Sequence, residues 1–174
     1  MKERKKQGIE TADHGFSHLT DKGAARMVDV SNKAITHREA EAKGRISLGP
    51  KITEAILGEK VKKGDVLAVA RVAGIMAAKN ASRAIPLCHP IFISGCQLDL
   101  TVDQASFSVE AICRVSTDSQ TGVEMEALSG VSAALLTVYD MCKSLDKGMV
   151  IGPVWLVEKS GGKGGAYKAA HGVT

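Results

Sequence analysis

Two stretches of alternating residues, separated by a short polar turn, constrain the fold of this chain more than any other feature. Apolar and polar residues alternate from Cys96 to Val102, and the alternation resumes from Phe107 to Val115. Such alternation places the apolar side chains on one face of a strand. Because only a short turn at Gln104-Ala105 connects the two stretches, they predict an antiparallel β-hairpin, with Phe107 among its core residues.

Further strands are predicted before and after this hairpin. Residues 38–48 alternate in the same way, with alanine, glycine, isoleucine and leucine on one face and charged residues on the other. Residues 149–158 predict a last strand, in which Gly152-Pro153 favours a bulge or an edge position.

Helices are predicted in the intervening segments. Residues 51–57 predict a short helix that Pro50 opens and Gly58 ends. A second helix follows Asp65 as its N-cap and ends before the Ile85-Pro86 pair. Its apolar positions at helical spacing are Val66, Val69, Val72, Ala73 and Met76.

A long third helix precedes the last strand. Thr121 and Glu124 have the spacing of a capping box, and the nearly continuous apolar run at 127–142 predicts burial on most sides. Gly130 within this run indicates a close crossing of another element, and Gly148 is the predicted end of the helix.

The order of these elements is strand, helices, strand, strand, helix, strand. It predicts an α+β fold of the ferredoxin-like (βαββαβ) type, an antiparallel sheet with helices packed on one face. The other face of such a sheet is left to find a partner, which favours a homo-oligomer.

The charge distribution excludes several functional classes. The net charge of +4 over 174 residues comes from the ends, because residues 1–26 carry six basic and four acidic residues and residues 159–174 carry three lysines and no acid. The body is close to neutral, so a nucleic-acid backbone binder is not expected. No apolar stretch approaches the ~20 residues of a membrane helix, and the N-terminus is no secretory signal. We therefore expect a cytoplasmic protein.

The same distribution suggests how the chain is divided. Residues 1–26 are charged, contain glycine and lack periodicity, which predicts a flexible leader. Residues 27–159 predict a single domain, and residues 160–174 form a segment rich in glycine and lysine.

The four cysteines match no zinc-binding spacing and contain no C-x-x-C pair. Cys96 and Cys113 fall on apolar strand faces and are interpreted as small buried residues. A metal site at Cys88-His89 has no support from spacing, so no metal site is predicted.

Asp140 is the first candidate for chemistry, because it lies in an apolar helical run where a lone carboxylate is costly. Lys143 follows three residues later on the same helical face. Two interpretations remain open at this point. The pair is either an intrahelical ion pair that reaches solvent, or a general acid/base whose pKa is tuned by burial and by the lysine.

Two lysine-bearing segments are candidates for binding an anion. Lys63-Gly64-Asp65 precedes a helix, where a phosphate is stabilised, and the glycines at residues 159–165 free the backbone around Lys159. The alternatives are a solvent-exposed loop and a disordered basic tail.

Two further motifs are candidates for ligand contact. Prolines on both sides of Leu87-Cys88-His89 stiffen this loop, so that His89 either contacts a ligand or satisfies backbone groups. In Glu124-Met125-Glu126 the two carboxylates lie ~200° apart around a helix, which disfavours a paired acid/base site.

Several of these motifs together closely resemble the MoaC family, the cyclic pyranopterin monophosphate synthases of molybdenum cofactor biosynthesis. The resemblance covers about residues 26–166 in collinear order. It rests on Met27 to Val30, Lys63 to Val66, Ile85 to Pro90, Thr121 to Leu128, Tyr139 to Lys143, Ile151 to Val154 and Lys159 to Lys163.

The resemblance implies a ferredoxin-like domain that assembles as a homohexamer, a trimer of dimers, with the active site at the dimer interface. It implies a lyase whose substrate is (8S)-3′,8-cyclo-7,8-dihydroguanosine 5′-triphosphate and whose products are cyclic pyranopterin monophosphate and pyrophosphate. No redox cofactor is expected, and a divalent cation such as Mg²⁺ can accompany the triphosphate.

The resemblance also assigns roles to residues at matching positions. Asp140, Lys63 and Lys143 match the catalytic group. The residues that match substrate-binding positions are Leu87, Cys88, His89, Glu124, Met125, Glu126, Lys159 and Arg38. The chain departs modestly from the family pattern, with Gln120 where lysine is frequent, Gly130 where alanine is usual and Gly164 where serine is common.

A second class of function is a non-catalytic nucleotide- or RNA-binding module on the same fold. RNA-reading sheets stack bases on aromatic side chains, and the chain has only 3 % aromatic residues. Phe107 is the one aromatic residue of the hairpin, and its predicted place is in the core, which disfavours this interpretation.

Overall fold

A computed structural model describes residues 23–170 of the chain. Most of the predicted leader, residues 1–22, lies outside the described residues. The elements in chain order are β1 (Thr36–Ser47), α1 (Pro50–Leu57), α2 (Val66–Lys79), α3 (Ala81–Ala84), β2 (Gly95–Asp103), β3 (Ser108–Ser119), α4 (Glu124–Cys142), β4 (Val150–Ser160) and β5 (Tyr167–Lys168).

The strands form one antiparallel sheet in the order β2-β3-β1-β4-β5. The predicted hairpin is β2–β3, and β1 lies between β3 and β4. The predicted bulge is also present, because the pairing of β1 with β4 shifts register opposite Gly152-Pro153. The α+β, ferredoxin-like fold expected from the sequence is thereby confirmed.

The core lies between the sheet and α4, with α2 packed beside α4. Glycines allow both close approaches. A Cβ on Gly44 of β1 would lie 2.6 Å from Val131 Cγ1 of α4, and one on Gly74 of α2 would lie 2.7 Å from the Gly130 carbonyl. The crossing that Gly130 indicated is therefore formed with α2, at Gly74.

The prediction of which side of α2 packs inward is wrong for its larger apolar residues. Val69, Val72 and Met76 are 46, 58 and 59 % exposed, whereas the residues buried against α4 and the sheet are Val66, Ala70, Gly74 and Ala78. Helices approach closely only where their side chains are small, so packing selected the narrow alanine and glycine stripe over the larger apolar one. A large apolar face of α2 consequently remains open within one chain.

Three smaller expectations also fail. Phe107 lies in the hairpin turn with φ +49° and is 41 % exposed, because the turn spans four residues and not two. Helix α4 begins at Glu124 with Val123 as its N-cap, so the Thr121–Glu124 capping box does not form. The helix also ends at Cys142, well before Gly148.

The sheet face opposite the helices is lined by ion pairs. Arg114 binds Glu41 at 2.6 Å and Asp99 at 3.1 Å across three adjacent strands, and Lys43 binds Glu110 at 2.8 Å. Of the two cysteines predicted in the core, Cys113 is fully buried and Cys96 is partly buried. Within residues 23–170, no helix combines the length and apolar content needed to span a membrane.

Candidate active site

A cavity of about 250 Å³ lies at the N-terminal end of α4 and gathers six of the predicted substrate-binding residues. It is bordered by three segments: the chain before β1, the loop after α3 and the start of α4. Its lining residues are Val28, Val30, Lys33, Leu87, Cys88, His89, Thr121, Gly122, Glu124, Met125 and Glu126.

Glu126 has the most unusual environment in this cavity. Its side chain is only 2 % exposed, and its Oε2 atom has no hydrogen-bond partner among the described residues. Burial raises the pKa of this carboxyl group, with a smaller contribution from the neighbouring Glu124. A buried polar atom without a partner is rare in folded proteins, which makes Glu126 a candidate for a functional role.

Cys88 contacts the same carboxyl group from the loop after α3. Its Sγ atom lies 3.6 Å from Glu126 Oε1, within hydrogen-bonding distance for a thiol donor. Burial, together with the Glu126 carboxylate, raises the pKa of the thiol to about 11. The thiol is therefore a proton donor toward Glu126 and not a nucleophilic thiolate.

His89 takes the second of its two predicted roles, in which its ring bonds to a backbone group. Its Nε2 atom lies 2.7 Å from the Val28 carbonyl, so the ring, with a proton on Nε2, donates to the backbone. The ring also lines the cavity, which leaves it in position for ligand contact. The proline-flanked loop thus joins two walls of the cavity.

Lys159, on β4, does not line this cavity but binds Glu124, which does. Its ammonium group lies 3.0 Å from Glu124 Oε1, and both side chains are about one-third exposed or less. This ion pair replaces the predicted capping role of Glu124, because Glu124 is the first residue of the helix and its carboxylate faces the sheet strand. Lys159 lines a different, larger cavity of about 660 Å³ that includes residues of β5. We assign the site to the smaller cavity because six of the eight predicted substrate-binding residues line it.

Arg38 lies on β1 next to this cavity but does not line it. Its Nε atom donates to the Ser119 carbonyl at 2.8 Å, and its Nη2 atom donates to the Gln120 carbonyl at 3.0 Å. Gly161 and Gly162 pack against Arg38 with positive φ angles of 89° and 71°, where a side chain would collide with it. The guanidinium is thus oriented by backbone groups on two sides.

The three predicted catalytic residues form a second cluster at the C-terminal end of α4. Lys63 Nζ lies 2.7 Å from Asp140 Oδ2 and 2.9 Å from the Asp140 carbonyl, and Lys143 Nζ lies 2.6 Å from Oδ1. Lys63 is therefore part of an ion-pair cluster and not a free loop lysine.

Of the two interpretations of Asp140, the single chain shows the ion pair that reaches solvent. Its side chain is 55 % exposed and bonds to Lys63 and Lys143, while Met141 and Cys142 of the same turn are buried, so Asp140 lies on the outward side of α4. The bonds to Lys143 and Lys63 lower the pKa of Asp140 to about 2, and they raise the pKa of Lys143. Asp140 is therefore ionised at neutral pH and orients two ammonium groups.

The two clusters do not meet within one chain. Glu126 and Asp140 are fourteen positions apart on a continuous helix, which corresponds to about 21 Å along its axis. Each chain therefore carries two separate groups of predicted site residues.

Lys33 is a cavity residue that sequence reasoning missed. It lies in a non-repetitive segment between the Met27 to Val30 motif and β1, where neither periodicity nor spacing identifies a binding residue. Its position just after that motif was the only available signal. In residues 23–170, no group of three or more histidine, cysteine, aspartate or glutamate side chains is arranged to hold a metal ion.

Comparison with known proteins identifies the family of this chain. A sequence model of the MoaC family matches residues 27–162, which confirms the resemblance found from the motifs. The chain is 53 % identical over 154 residues to the cyclic pyranopterin monophosphate synthase of Pelotomaculum thermopropionicum, covering 88 % of this chain and 91 % of that protein.

Two other relatives carry the same name. The Heliobacterium modesticaldum protein is 54 % identical over 152 residues, covering 87 % of this chain and 96 % of its own length. The Bacillus subtilis protein is 50 % identical over 157 residues, covering 89 % and 92 %. Because the family match spans most of the chain and includes both residue clusters, the chain belongs to the MoaC family.

Proposed function

We propose that this chain is a cyclic pyranopterin monophosphate synthase, a lyase of molybdenum cofactor biosynthesis. It converts (8S)-3′,8-cyclo-7,8-dihydroguanosine 5′-triphosphate into cyclic pyranopterin monophosphate and releases pyrophosphate. The observation that carries this proposal is the identity of about half of all aligned positions with relatives of that name, over nearly the whole chain. The cavity and the Asp140 cluster supply the groups that the reaction requires.

We further propose that two chains combine to form each active site. The Asp140 cluster and the Glu126 cavity are about 21 Å apart along α4, which supports a site built from one cluster of each chain. The exposed apolar face of α2, at Val69, Val72 and Met76, is consistent with burial against another copy. A homohexamer built as a trimer of dimers is the proposed assembly.

The lysines of this site act on the triphosphate. Lys63 and Lys143 are held by Asp140, and Lys159 is held by Glu124, so their ammonium groups are oriented before a ligand binds. Positive charge placed where negative charge develops lowers the barrier to pyrophosphate departure. A Mg²⁺ ion can accompany the triphosphate as part of the substrate complex.

Glu126 is the proposed proton-transfer group. Opening the purine-derived ring and closing the new ring require a group that both accepts and donates protons. Glu126 has a raised pKa because of burial, and Cys88 donates to its Oε1 atom, which leaves Oε2 without a partner among the described residues. Asp140, with its pKa of about 2, acts instead through the lysines that it orients.

The remaining proposals concern the boundaries and the location of the protein. We propose residues 27–159 as the catalytic domain and residues 160–174 as a glycine- and lysine-rich segment, with residues 159–163 ordered over the triphosphate. We place the protein in the cytoplasm, where its nucleotide-derived substrate is made from GTP.

The proposed function is tested by incubating the purified full chain with the cyclic dihydro-GTP precursor. We expect equal amounts of cyclic pyranopterin monophosphate and pyrophosphate, identified by mass spectrometry and by an enzyme-coupled phosphate assay. Absence of both products from a folded protein would refute the assignment. Steeply salt-dependent binding of single-stranded RNA without turnover would favour the RNA-binding alternative.

A further inference from the structure

Residues 28–33 form one wall of the cavity, and we call them the wall segment. They belong to no helix or strand. Residues 30–33 form a turn, in which the Lys33 amide donates to the Val30 carbonyl at 2.9 Å. Lys33 is the one lysine among the residues that line the cavity. Its position therefore depends on how the wall segment is held.

Two side chains from other parts of the chain bond to the backbone of the wall segment, one toward each of its ends. His89 bonds to the Val28 carbonyl at 2.7 Å. Gln120 donates from Nε2 to the Ser31 carbonyl at 3.1 Å and to the Lys33 carbonyl at 2.9 Å. A primary amide has two N–H donors, and in Gln120 both are used on the wall segment.

Gln120 also connects the wall segment to β1. Its own backbone carbonyl accepts a hydrogen bond from Arg38 Nη2 at 3.0 Å, and its side chain is partly buried. The residue thus joins three parts of the site: the end of β3, the wall segment with Lys33, and the guanidinium of Arg38. It does not line the cavity itself.

We propose that Gln120 is a positioning residue that holds the wall segment so that Lys33 binds the substrate's triphosphate; this inference rests on the proposed function. An ammonium group on a fixed backbone loses less conformational freedom when it binds an anion than one on a mobile loop. Lys33 contacts phosphate charge both before and during the reaction. Loss of its positioning consequently weakens substrate binding and leaves the chemical step largely unchanged.

The test compares three substitutions of Gln120 in the full-length enzyme. Gln120→Met keeps the length of the side chain and removes both donors, so we expect KM to rise about five- to tenfold with kcat within about twofold. Gln120→Glu places a carboxylate against two carbonyl oxygens, and we expect a rise in KM at least as large. Gln120→Lys restores donors of similar reach, and its KM should stay within about twofold of the wild-type value.

The matched control is Gln104→Met, at the exposed hairpin turn at the other end of β3, where KM and kcat should not change. Wild-type KM in Gln120→Met, or a fall in kcat with unchanged KM, would overturn the proposal. Failure of Gln120→Lys to restore KM would overturn it as well, because the N–H donors at position 120 would then not be what positions Lys33.

A second measurement does not depend on turnover. The acylation rate of Lys33 is followed by peptide mass spectrometry with and without inorganic triphosphate. We expect triphosphate to protect Lys33 in the wild type and in Gln120→Lys, and protection to be at least about threefold weaker in Gln120→Met. Equal protection in all variants would overturn the inference. A wild type that binds triphosphate at Lys33 but makes no product would refute the proposed synthase activity alone.

Discussion

The two ends of α4 carry carboxylates whose environments are opposite. At the N-terminal end, Glu126 is 2 % exposed and has a raised pKa because burial disfavours its charged form. At the C-terminal end, Asp140 is 55 % exposed, and its bonds to Lys143 and Lys63 lower its pKa to about 2. One helix thus presents a carboxyl that readily takes up a proton and a carboxylate that stays ionised.

The comparison teaches that the two acidic groups have different tasks. A carboxyl group whose pKa burial raises is suited to proton transfer, whereas a carboxylate that cations keep ionised is suited to holding those cations. The sequence around Asp140 left two interpretations open, an ion pair that reaches solvent and a tuned acid/base. In the folded chain, desolvation acts on Glu126, and Asp140 lies on the outward side of α4 in the ion pair.

The largest effect is expected for Asp140→Asn. The amide removes the charge that binds Lys63 and Lys143, so both ammonium groups lose their orientation toward the triphosphate. We expect kcat to fall roughly 10³-fold or more while the oligomer remains intact by size-exclusion chromatography. Asp99→Asn, an exposed aspartate paired with Arg114 on the open sheet face, is the control and should keep its rate. A near-normal rate for Asp140→Asn would reduce Asp140 to a structural ion pair.

A somewhat smaller loss is expected for Glu126→Gln. The amide fills the same space and cannot transfer a proton, so we expect kcat to fall about 10²-fold. Stability at neutral pH should be unchanged or higher, because the variant has no buried group to ionise. Thermal unfolding and steady-state rates measure both, with Glu110→Gln on the open sheet face as the control. A large loss of stability would mean that Glu126 has a structural role, and the two carboxylates of α4 would then not be divided into a proton-transfer group and a cation-holding group.

The third prediction concerns the close crossing of α2 and α4, from which both ends of α4 extend. An alanine at Gly74 would place its Cβ 2.7 Å from the Gly130 carbonyl, a backbone atom, whereas an alanine at Gly130 would meet the Cys113 side chain at 2.7 Å. Both positions gain the same helix propensity, so the pair isolates the packing cost. We expect Gly74→Ala to be about 1–3 kcal/mol less stable than the wild type and Gly130→Ala to be less affected, measured by urea unfolding. The opposite order would show that α4 is positioned by other contacts.

The smallest effect is the pH dependence of stability, and its sign differs between the two ends. The lowered pKa of Asp140 contributes stability that is present above its ordinary value of 3.8 and is lost as the pH falls through about 2. The raised pKa of Glu126 contributes stability that is present below 4.5 and is lost as the pH rises through the raised value. Urea unfolding of each amide variant from about pH 2 to about pH 7 should remove the corresponding slope. Differences of the same sign in both variants would contradict the comparison.

Local periodicity was sufficient to predict most of the fold. The alternation in β1, β2 and β3, the Asp65 cap, which accepts from the Ala68 amide at 3.0 Å, and the Gly152-Pro153 bulge all follow from the sequence. These features depend on residues that are close in the sequence, so they can be predicted from the sequence alone. The α+β, ferredoxin-like architecture follows from their order.

What the sequence could not predict depends on distant contacts. Helix α2 has two apolar stripes, and only the presence of α4 decides that Ala70 and Ala78 are buried while Met76 is exposed. Likewise, Glu124 has the spacing of a capping residue, but Lys159, far away in the chain, attracts its carboxylate. The exposure of Asp140 depends on which side of the last turn of α4 packs inward, and there Met141 and Cys142 are buried.

For the candidate site, motifs identified the residues but not their grouping. Leu87, Met125 and Glu126, which the resemblance assigns to substrate binding, line one cavity. Nothing in their spacing indicated that Asp140 lies at the other end of the same helix. Lys33 and Gln120 were missed because one lies in a segment without periodicity and the other acts through two backbone carbonyls.

The position of β1 in the sheet has a consequence for biosynthesis. This strand is made early, yet one of its two neighbours is β4, and Glu39 pairs with Ser160 more than a hundred residues later. Pairing between such distant segments is slow, because a long loop must close before any contact compensates for the lost entropy. A nascent chain on the ribosome therefore exposes one edge of β1 until residue 160 has emerged, and any truncation before β4 leaves that edge open to pairing with other chains.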